Sequence, residues 1–249
     1  MVIPIYDSDP LEKSRRAYVN WALIAANVVI FLLQQGGSDN SDTLIVRNFA
    51  LYPVALTGDA ITGGVLPSWT TLLTYMFLHG GWEHIFFNML FLFTFGDNIE
   101  DALGHGRYLV FYLLCGIAAG LTHALMAQDS NVPLIGASGA IAGVVAAYIM
   151  LRPCARITAL MFGLIPLRLG SVWVLGFWAL VQVYHVLSDP SGDTAWWAHI
   201  GGLVSGAVLI TVMRPPGVIL FECMRPGDAI HASASPPTVG PSGGPWGSR

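Results

Sequence analysis

Four polar side chains interrupt apolar stretches of this chain: His84, Asn88, Ser138 and His199. A polar group within a membrane span is costly unless it faces a cavity or a partner. A serine hydroxyl becomes a useful nucleophile when an adjacent base takes its proton, and histidine is the usual base near neutral pH. Ser138 and His199 therefore predict a catalytic dyad, and we expect no buried third carboxylate because no Asp or Glu lies at the same depth.

Acyl transfer also needs hydrogen-bond donors aimed at the developing oxyanion. His84 and Asn88 are four residues apart and share one helical face. Together with the backbone N–H of Ser138, they are the candidates for oxyanion stabilisation. Each residue alone has a simpler structural explanation, because a serine among glycines allows close helix packing and a histidine or asparagine in a span can bridge two helices.

The composition sets the class of protein in which this chemistry would occur. Of 249 residues, 54% are hydrophobic and only 10% are charged, whereas a soluble domain carries about 25% charged residues. This excludes an ordinary soluble enzyme, a disordered protein and a nucleic-acid binder, which needs clustered Lys and Arg. The composition predicts a polytopic membrane protein surrounded by lipids.

Six apolar stretches predict an all-α membrane protein built as one bundle of six transmembrane helices, since each crossing takes about 20 residues. The predicted spans are residues 17–34, 84–103, 108–127, 133–151, 169–187 and 195–213. The shorter apolar segment 157–167 is predicted to be a connection. Residues 1–16 are predicted to be a polar N-terminal segment, and residues 17–213 the membrane domain, which includes a long outer loop at 36–81. Residues 214–249 are predicted to be a tail that is disordered from about residue 226.

The positions of the basic residues predict the orientation, because Lys and Arg in short loops stay in the cytoplasm. With both termini in the cytoplasm, the outer loops contain only Arg47 as a basic residue. Spans two, four and six then run inwards, and His84, Ser138 and His199 lie near their outer ends. At 1.5 Å per residue their common depth is about 10 Å below the outer surface, which predicts a pocket open to the outer aqueous phase.

Small residues predict that spans four and six approach each other closely. They form two stripes, Gly139, Gly143 and Ala147 on span four and Ala198, Gly202 and Gly206 on span six. Close packing of these helices would bring Ser138 and His199 together.

No metal site, cofactor site or disulfide framework is predicted. Cys115, Cys154 and Cys223 are far apart and show no metal-ligand spacing, so we expect packing residues or inert thiols. The HExxH pattern of zinc proteases is also absent from the sequence.

Three motifs resemble the signatures of rhomboid intramembrane serine proteases, in the order and on the spans of that family. They are Gly136-Ala137-Ser138-Gly139, the His84/Asn88 pair and Ala198-His199-Ile200-Gly201-Gly202. The resemblance covers roughly residues 69–213. It implies a six-helix bundle around a water-accessible cavity, with Ser138 as nucleophile, His199 as general base, and His84 and Asn88 assisting the oxyanion.

The resemblance further implies that the substrates are single-pass transmembrane proteins, cleaved in or near the outer end of their helix, and that no cofactor takes part. It also implies that the first outer loop is a lateral membrane-embedded element and that residues 189–194 cap the site. Some relatives carry a bulky aromatic residue that stacks on the catalytic histidine, one turn after the nucleophile. This chain has Ala142 there, so the His199 ring must be positioned by another group.

Two other functions stay open at the level of sequence. An inactive rhomboid-like protein would bind and escort transmembrane helices, although such a protein is expected to lose the serine or the histidine. A small transporter would use His84, Asn88 and His199 as a polar path, but the inner halves of the spans continue it poorly. We expect a bacterial plasma membrane location because the sequence shows no transit segment.

Overall fold

The computed structural model describes residues 2–7, 16–36, 39–57, 67–161, 164–188 and 195–223. It is mostly helical. The α-helices in these ranges are α1 Tyr18–Gln35, α2 Asp39–Phe49, α3 Pro53–Thr57, α4 Thr71–Thr74, α5 Trp82–Leu103, α6 His105–Met126, α7 Ser138–Leu151, α8 Ser171–Ser188 and α9 Trp196–Met213.

The long helices lie at the positions of the predicted apolar stretches. Among the described helices, α1, α6, α8 and α9 are long and apolar enough to cross a membrane. The 14-residue α7 is apolar but shorter, and the 22-residue α5 carries acidic residues at both ends. Helix α7 is at the centre of the bundle, where residues 139–148 are all buried between α5, α6, α8 and α9.

Small residues bring α7 and α9 into backbone contact, as the sequence predicts. A Cβ atom added to Gly202 would overlap the carbonyl oxygen of Gly139, and one added to Gly206 would overlap the backbone of Gly143. These contacts are possible only because α9 lacks a side chain at both positions, whereas a Cβ on Gly139 or Gly143 would overlap α6. The two helices are therefore held at a distance that no larger residue permits.

A three-stranded antiparallel sheet shows that the all-α prediction was wrong at one end of the molecule. Its strands are β1 Val2–Asp7, β2 Arg156–Met161 and β3 Ile165–Gly170, in the order β1-β2-β3. The segment predicted as a plain connection thus forms most of a hairpin, and the polar N-terminal segment begins with a strand. The physical reason is the period-two pattern of a half-buried strand: Ile157 and Ala159 are buried, while their neighbours are more exposed.

Buried polar contacts attach the sheet to the helices. The carboxylate of Asp7, at the end of β1, accepts hydrogen bonds from Asn98 Nδ2 at 2.7 Å and from the Tyr148 hydroxyl at 2.6 Å. These donors lie on α5 and α7, so one carboxylate connects three elements. Both donors bind Oδ2, and hydrogen bonds of this kind reduce the cost of burying a carboxylate.

A second buried carboxylate fixes the start of α1. Glu100 of α5 accepts the backbone N–H groups of Val19 at 3.0 Å and Asn20 at 2.7 Å. These N–H groups have no partner inside their own helix, and the positive end of the helix dipole favours an anion there. His105 contacts the same carboxylate.

A disulfide joins Cys154, in the connection after α7, to Cys223, beyond α9. The prediction that these cysteines are inert thiols was therefore wrong, because their separation of 69 residues carries no information on their distance in space. The Phe221 N–H donates to the Met150 carbonyl at 2.6 Å, which holds the segment after α9 against the end of α7. Cys115 is free and buried, consistent with a packing role.

The predicted outer loop contains helical segments that pack on the bundle. Leu51 forms an isolated antiparallel bridge with Leu134, and the Tyr75 hydroxyl donates to the Gly116 carbonyl of α6 at 2.7 Å. These contacts place the loop beside the segment that leads into α7. The predicted cap at 189–194 and the predicted disordered tail from 226 lie outside the described residues.

Candidate active site

Ser138 and His199 face each other across the contact between α7 and α9. Ser138 is the first residue of α7, and His199 lies in the first turn of α9. The distance from His199 Nε2 to Ser138 Oγ is 2.9 Å. Both residues are partly accessible. An imidazole nitrogen at this distance is in reach of the hydroxyl proton.

The other ring nitrogen of His199 contacts an amide that the sequence analysis missed. The distance from Nδ1 to Oε1 of Gln182 on α8 is 2.8 Å, and Gln182 Nε2 donates to the Trp178 carbonyl at 2.9 Å. One signal in the sequence was available: Gln182 is a polar residue inside the predicted span 169–187. Gln182 forms no recognisable motif with its neighbours in sequence, so its position gave no reason to predict a role in the site.

Two indole rings flank His199. This chain has Ala142 where some relatives carry the aromatic residue that stacks on the catalytic histidine. The Trp178 ring centroid lies 6.1 Å from that of His199 with a 39° tilt, and the Trp196 centroid lies 5.9 Å away, edge to face. Ala142 is buried in α7. The ring of His199 is therefore positioned from α8 and from its own helix.

Gly136 brings the backbone before α7 close to His84 and Asn88. Its φ of +116° is a conformation that side chains disfavour, and a Cβ there would lie 2.6 Å from His84 Nε2 and 3.8 Å from Asn88 Nδ2. The Gly136 N–H donates to the Tyr75 carbonyl at 3.0 Å. The turn into α7 thus passes directly over the side chains of α5.

Hydrogen bonds indicate which groups of His84 and Asn88 can donate. The Gly80 N–H donates to His84 Nδ1 at 3.3 Å, so a neutral His84 carries its proton on Nε2, the nitrogen that faces Gly136. Asn88 Nδ2 is buried and has no hydrogen-bond partner among the described residues. Two side-chain donors are therefore available on the side of the site formed by α5.

His79 supports this group from the connection before α5. It is completely buried, and its ring lies 5.1 Å from that of His84, edge to face. Burial, with a smaller contribution from His84, lowers the pKa of His79 to about 3. Gln34 of α1 holds its backbone, donating to the His79 carbonyl at 2.8 Å. His79 is therefore a neutral packing group.

In the described ranges, no three His, Cys, Asp or Glu side chains are grouped so that they could hold a metal ion. The arrangement instead contains a hydroxyl, an imidazole at hydrogen-bond distance and free donors beside them, the groups that acyl transfer uses.

The apolar helices and the paired serine and histidine define an integral membrane protein with a candidate serine hydrolase site. Residues 66–216, more than half of the chain, match the rhomboid domain family. The chain belongs to the rhomboid family.

Several relatives in this family are named as proteases. The chain is 31% identical over 188 residues to rhomboid protease GluP of Bacillus subtilis, covering 75% of this chain and 33% of the relative. It is 28% identical over 205 residues to rhomboid protease AarA of Providencia stuartii, covering 75% of this chain and 69% of the relative. The chain spans about a third of GluP and of the chloroplastic Rhomboid-like protein 11 from Arabidopsis thaliana.

Proposed function

We propose that this chain is an intramembrane serine endopeptidase that hydrolyses a peptide bond in or near the transmembrane segment of single-pass membrane proteins. The observation that carries the proposal is the 2.9 Å distance between Ser138 Oγ and His199 Nε2. The protease names of its relatives support the same activity.

In the proposed reaction, Ser138 Oγ attacks the carbonyl carbon of the scissile bond while His199 Nε2 takes the hydroxyl proton. The tetrahedral intermediate collapses as His199 returns this proton to the leaving amine, and an acyl-enzyme ester remains on Ser138. A water molecule then attacks the ester, with His199 again as base, and Ser138 is released with its proton. No cofactor is required, because each proton moves between Ser138, His199, water and substrate.

The negative oxygen of each tetrahedral intermediate needs donors that are already in place. We assign this role to His84 Nε2–H, Asn88 Nδ2 and the backbone N–H of Ser138. The free amide of Asn88 supports the assignment, because a buried donor without a partner is costly. A substrate oxyanion would satisfy it. Ser138 begins α7, so the helix dipole also favours negative charge at this position.

The proposed topology has six crossings, formed by α1, α5, α6, α7, α8 and α9, with both termini in the cytoplasm. The proposed membrane domain is residues 17–213. The proposed location of the protein is a bacterial plasma membrane. The abundance of basic residues in the inner segments supports this orientation. Ser138 and His199 then lie near the outer surface, where water and the end of a substrate helix can reach them.

The proposal is tested by incubating the protein in proteoliposomes with a panel of tagged single-span proteins. We expect cleavage by the wild type and none by Ser138→Ala. Ser188→Ala is the matched control, because Ser188 is an exposed serine at the end of α8, and it should cleave as the wild type does. Binding of single-span proteins without cleavage would instead support the inactive, helix-escorting alternative.

A further inference from the structure

We propose that Gln182 is a positioning residue that holds His199 in the tautomer required of a base. Its amide oxygen accepts the Nδ1–H of His199, so that the lone pair of Nε2 faces the Ser138 hydroxyl. The proposal rests on the proposed function, since it assigns a role within the same site.

The orientation of the Gln182 amide follows from its second hydrogen bond. The Trp178 carbonyl oxygen is only an acceptor, so the group 2.9 Å from it must be the Nε2 donor of Gln182. Oε1 then faces His199. Since Oε1 is itself only an acceptor, the ring nitrogen 2.8 Å away must carry a proton. A neutral imidazole with its proton on Nδ1 has its lone pair on Nε2.

The surroundings of Gln182 make the opposite arrangement unfavourable. The Gln182 side chain is 3% exposed, so solvent cannot satisfy a misplaced polar atom of its amide. With the proton of His199 on Nε2, the lone pair of Nδ1 would face the lone pairs of Oε1, and Ser138 would face a donor instead of a base. Two buried acceptors in contact lose their hydrogen bond and repel each other.

A neutral amide differs from the carboxylate of a serine protease triad in what it contributes. A carboxylate both orients the histidine and stabilises the imidazolium by its charge, whereas an amide orients only. Loss of Gln182 should therefore reduce kcat and leave KM almost unchanged, because the group touches His199 and not the substrate. From the cost of leaving one buried donor unsatisfied, we expect a decrease of about tenfold to a hundredfold.

The experiment compares Gln182→Met, Gln182→Glu and Leu180→Met in proteoliposomes. Methionine keeps the volume but offers His199 no oxygen, whereas a protonated glutamate restores both the acceptor for Nδ1–H and a donor to the Trp178 carbonyl. Leu180 lies on the same helix and is exposed, so its variant controls for methionine in α8. We expect kcat to decrease in Gln182→Met, to stay unchanged in Leu180→Met, and to recover in Gln182→Glu to within about fivefold of the wild type.

The tautomer is measured directly by 15N NMR of histidine-labelled protein, which distinguishes protonated from unprotonated ring nitrogens. We expect His199 to carry its proton on Nδ1 in the wild type and to populate both tautomers in Gln182→Met. This measurement needs no activity.

The outcomes separate this inference from the proposed function. Equal cleavage by the wild type and by Gln182→Met would overturn the role of Gln182. The proposed protease function would then still stand. A wild type without cleavage overturns the protease, and the NMR measurement alone then decides the hydrogen bond. A wild-type His199 with its proton on Nε2 overturns the inference in either case.

Discussion

Gly202 of α9 lies against the carbonyl oxygen of Gly139 in α7, with no room for a side chain between them. Gly139 follows Ser138, and Gly202 is one helical turn after His199. This glycine contact therefore determines how closely the serine and the histidine approach. Helix packing and the 2.9 Å hydrogen bond are two consequences of one arrangement.

Replacement of Gly202 by valine should separate the two helices and break the contact between Ser138 and His199. Overpacking of this kind costs about 1–3 kcal/mol of stability, and we expect cleavage to fall at least about tenfold because catalysis depends on the geometry of the reacting groups. Thermal melting and cleavage are measured together, with Val204→Leu as the control since Val204 of α9 is exposed. Full activity in Gly202→Val would show that this spacing is not critical.

Asn88→Ala should reduce kcat by about a hundredfold with little change in KM, because the amide donor acts on the oxyanion and not on the bound ground state. The melting temperature should hardly change, since the Asn88 Nδ2 group has no partner among the described residues to lose. Phe86→Leu is the control from an exposed face of α5. A rise in KM at constant kcat would instead assign Asn88 to substrate binding.

His79 should make the protein less stable in acid. The pKa of His79 is lowered to about 3 in the fold, whereas a histidine in an unfolded chain has a pKa of about 6.5. Below about pH 6.5 the unfolded state therefore binds a proton that the folded state rejects, and stability falls as pH falls, by up to about 1.4 kcal/mol per pH unit.

The measurement for His79 is the melting temperature at about pH 7 and about pH 5, in the wild type and in His79→Phe. We expect a smaller decrease in the variant, because phenylalanine takes up no proton. Identical decreases in the two proteins would contradict the neutral state assigned to His79.

The disulfide between Cys154 and Cys223 tests the proposed orientation. In that orientation both cysteines face the cytoplasm, where thiols are kept reduced. We expect alkylation of acid-quenched cells to label both cysteines, and the bond to form in purified protein under oxidising conditions. Cys154→Ser should then lower the melting temperature of the oxidised protein only, in line with about 2–4 kcal/mol from a disulfide. A disulfide already present in quenched cells would place this side of the protein outside the cytoplasm.

The sequence was informative where several weak signals coincide. Ser138, His199, His84 and Asn88 were identified because each polar residue lies near one end of an alternate span, and because glycine stripes bring two of those spans together. Gln182 was missed because its contact with His199 depends on how α8 packs against α9. No spacing along the chain records that geometry.

The sheet and the disulfide were missed for a related reason. β1 pairs with β2 across about 150 residues of chain, and Cys154 meets Cys223 only because α7 and α9 end on the same side of the bundle. Hydropathy windows detect membrane helices but carry no information on which short segments meet at the ends of those helices.

The most direct test of the central claim is covalent labelling by a serine-directed fluorophosphonate, followed by mass spectrometry of the labelled peptide. We predict one adduct on Ser138 in the wild type, none in Ser138→Ala, and a large decrease in His199→Ala because the hydroxyl then has no base. An adduct formed equally in wild type and Ser138→Ala, or full labelling of Ser138 in His199→Ala, would contradict a serine activated by His199.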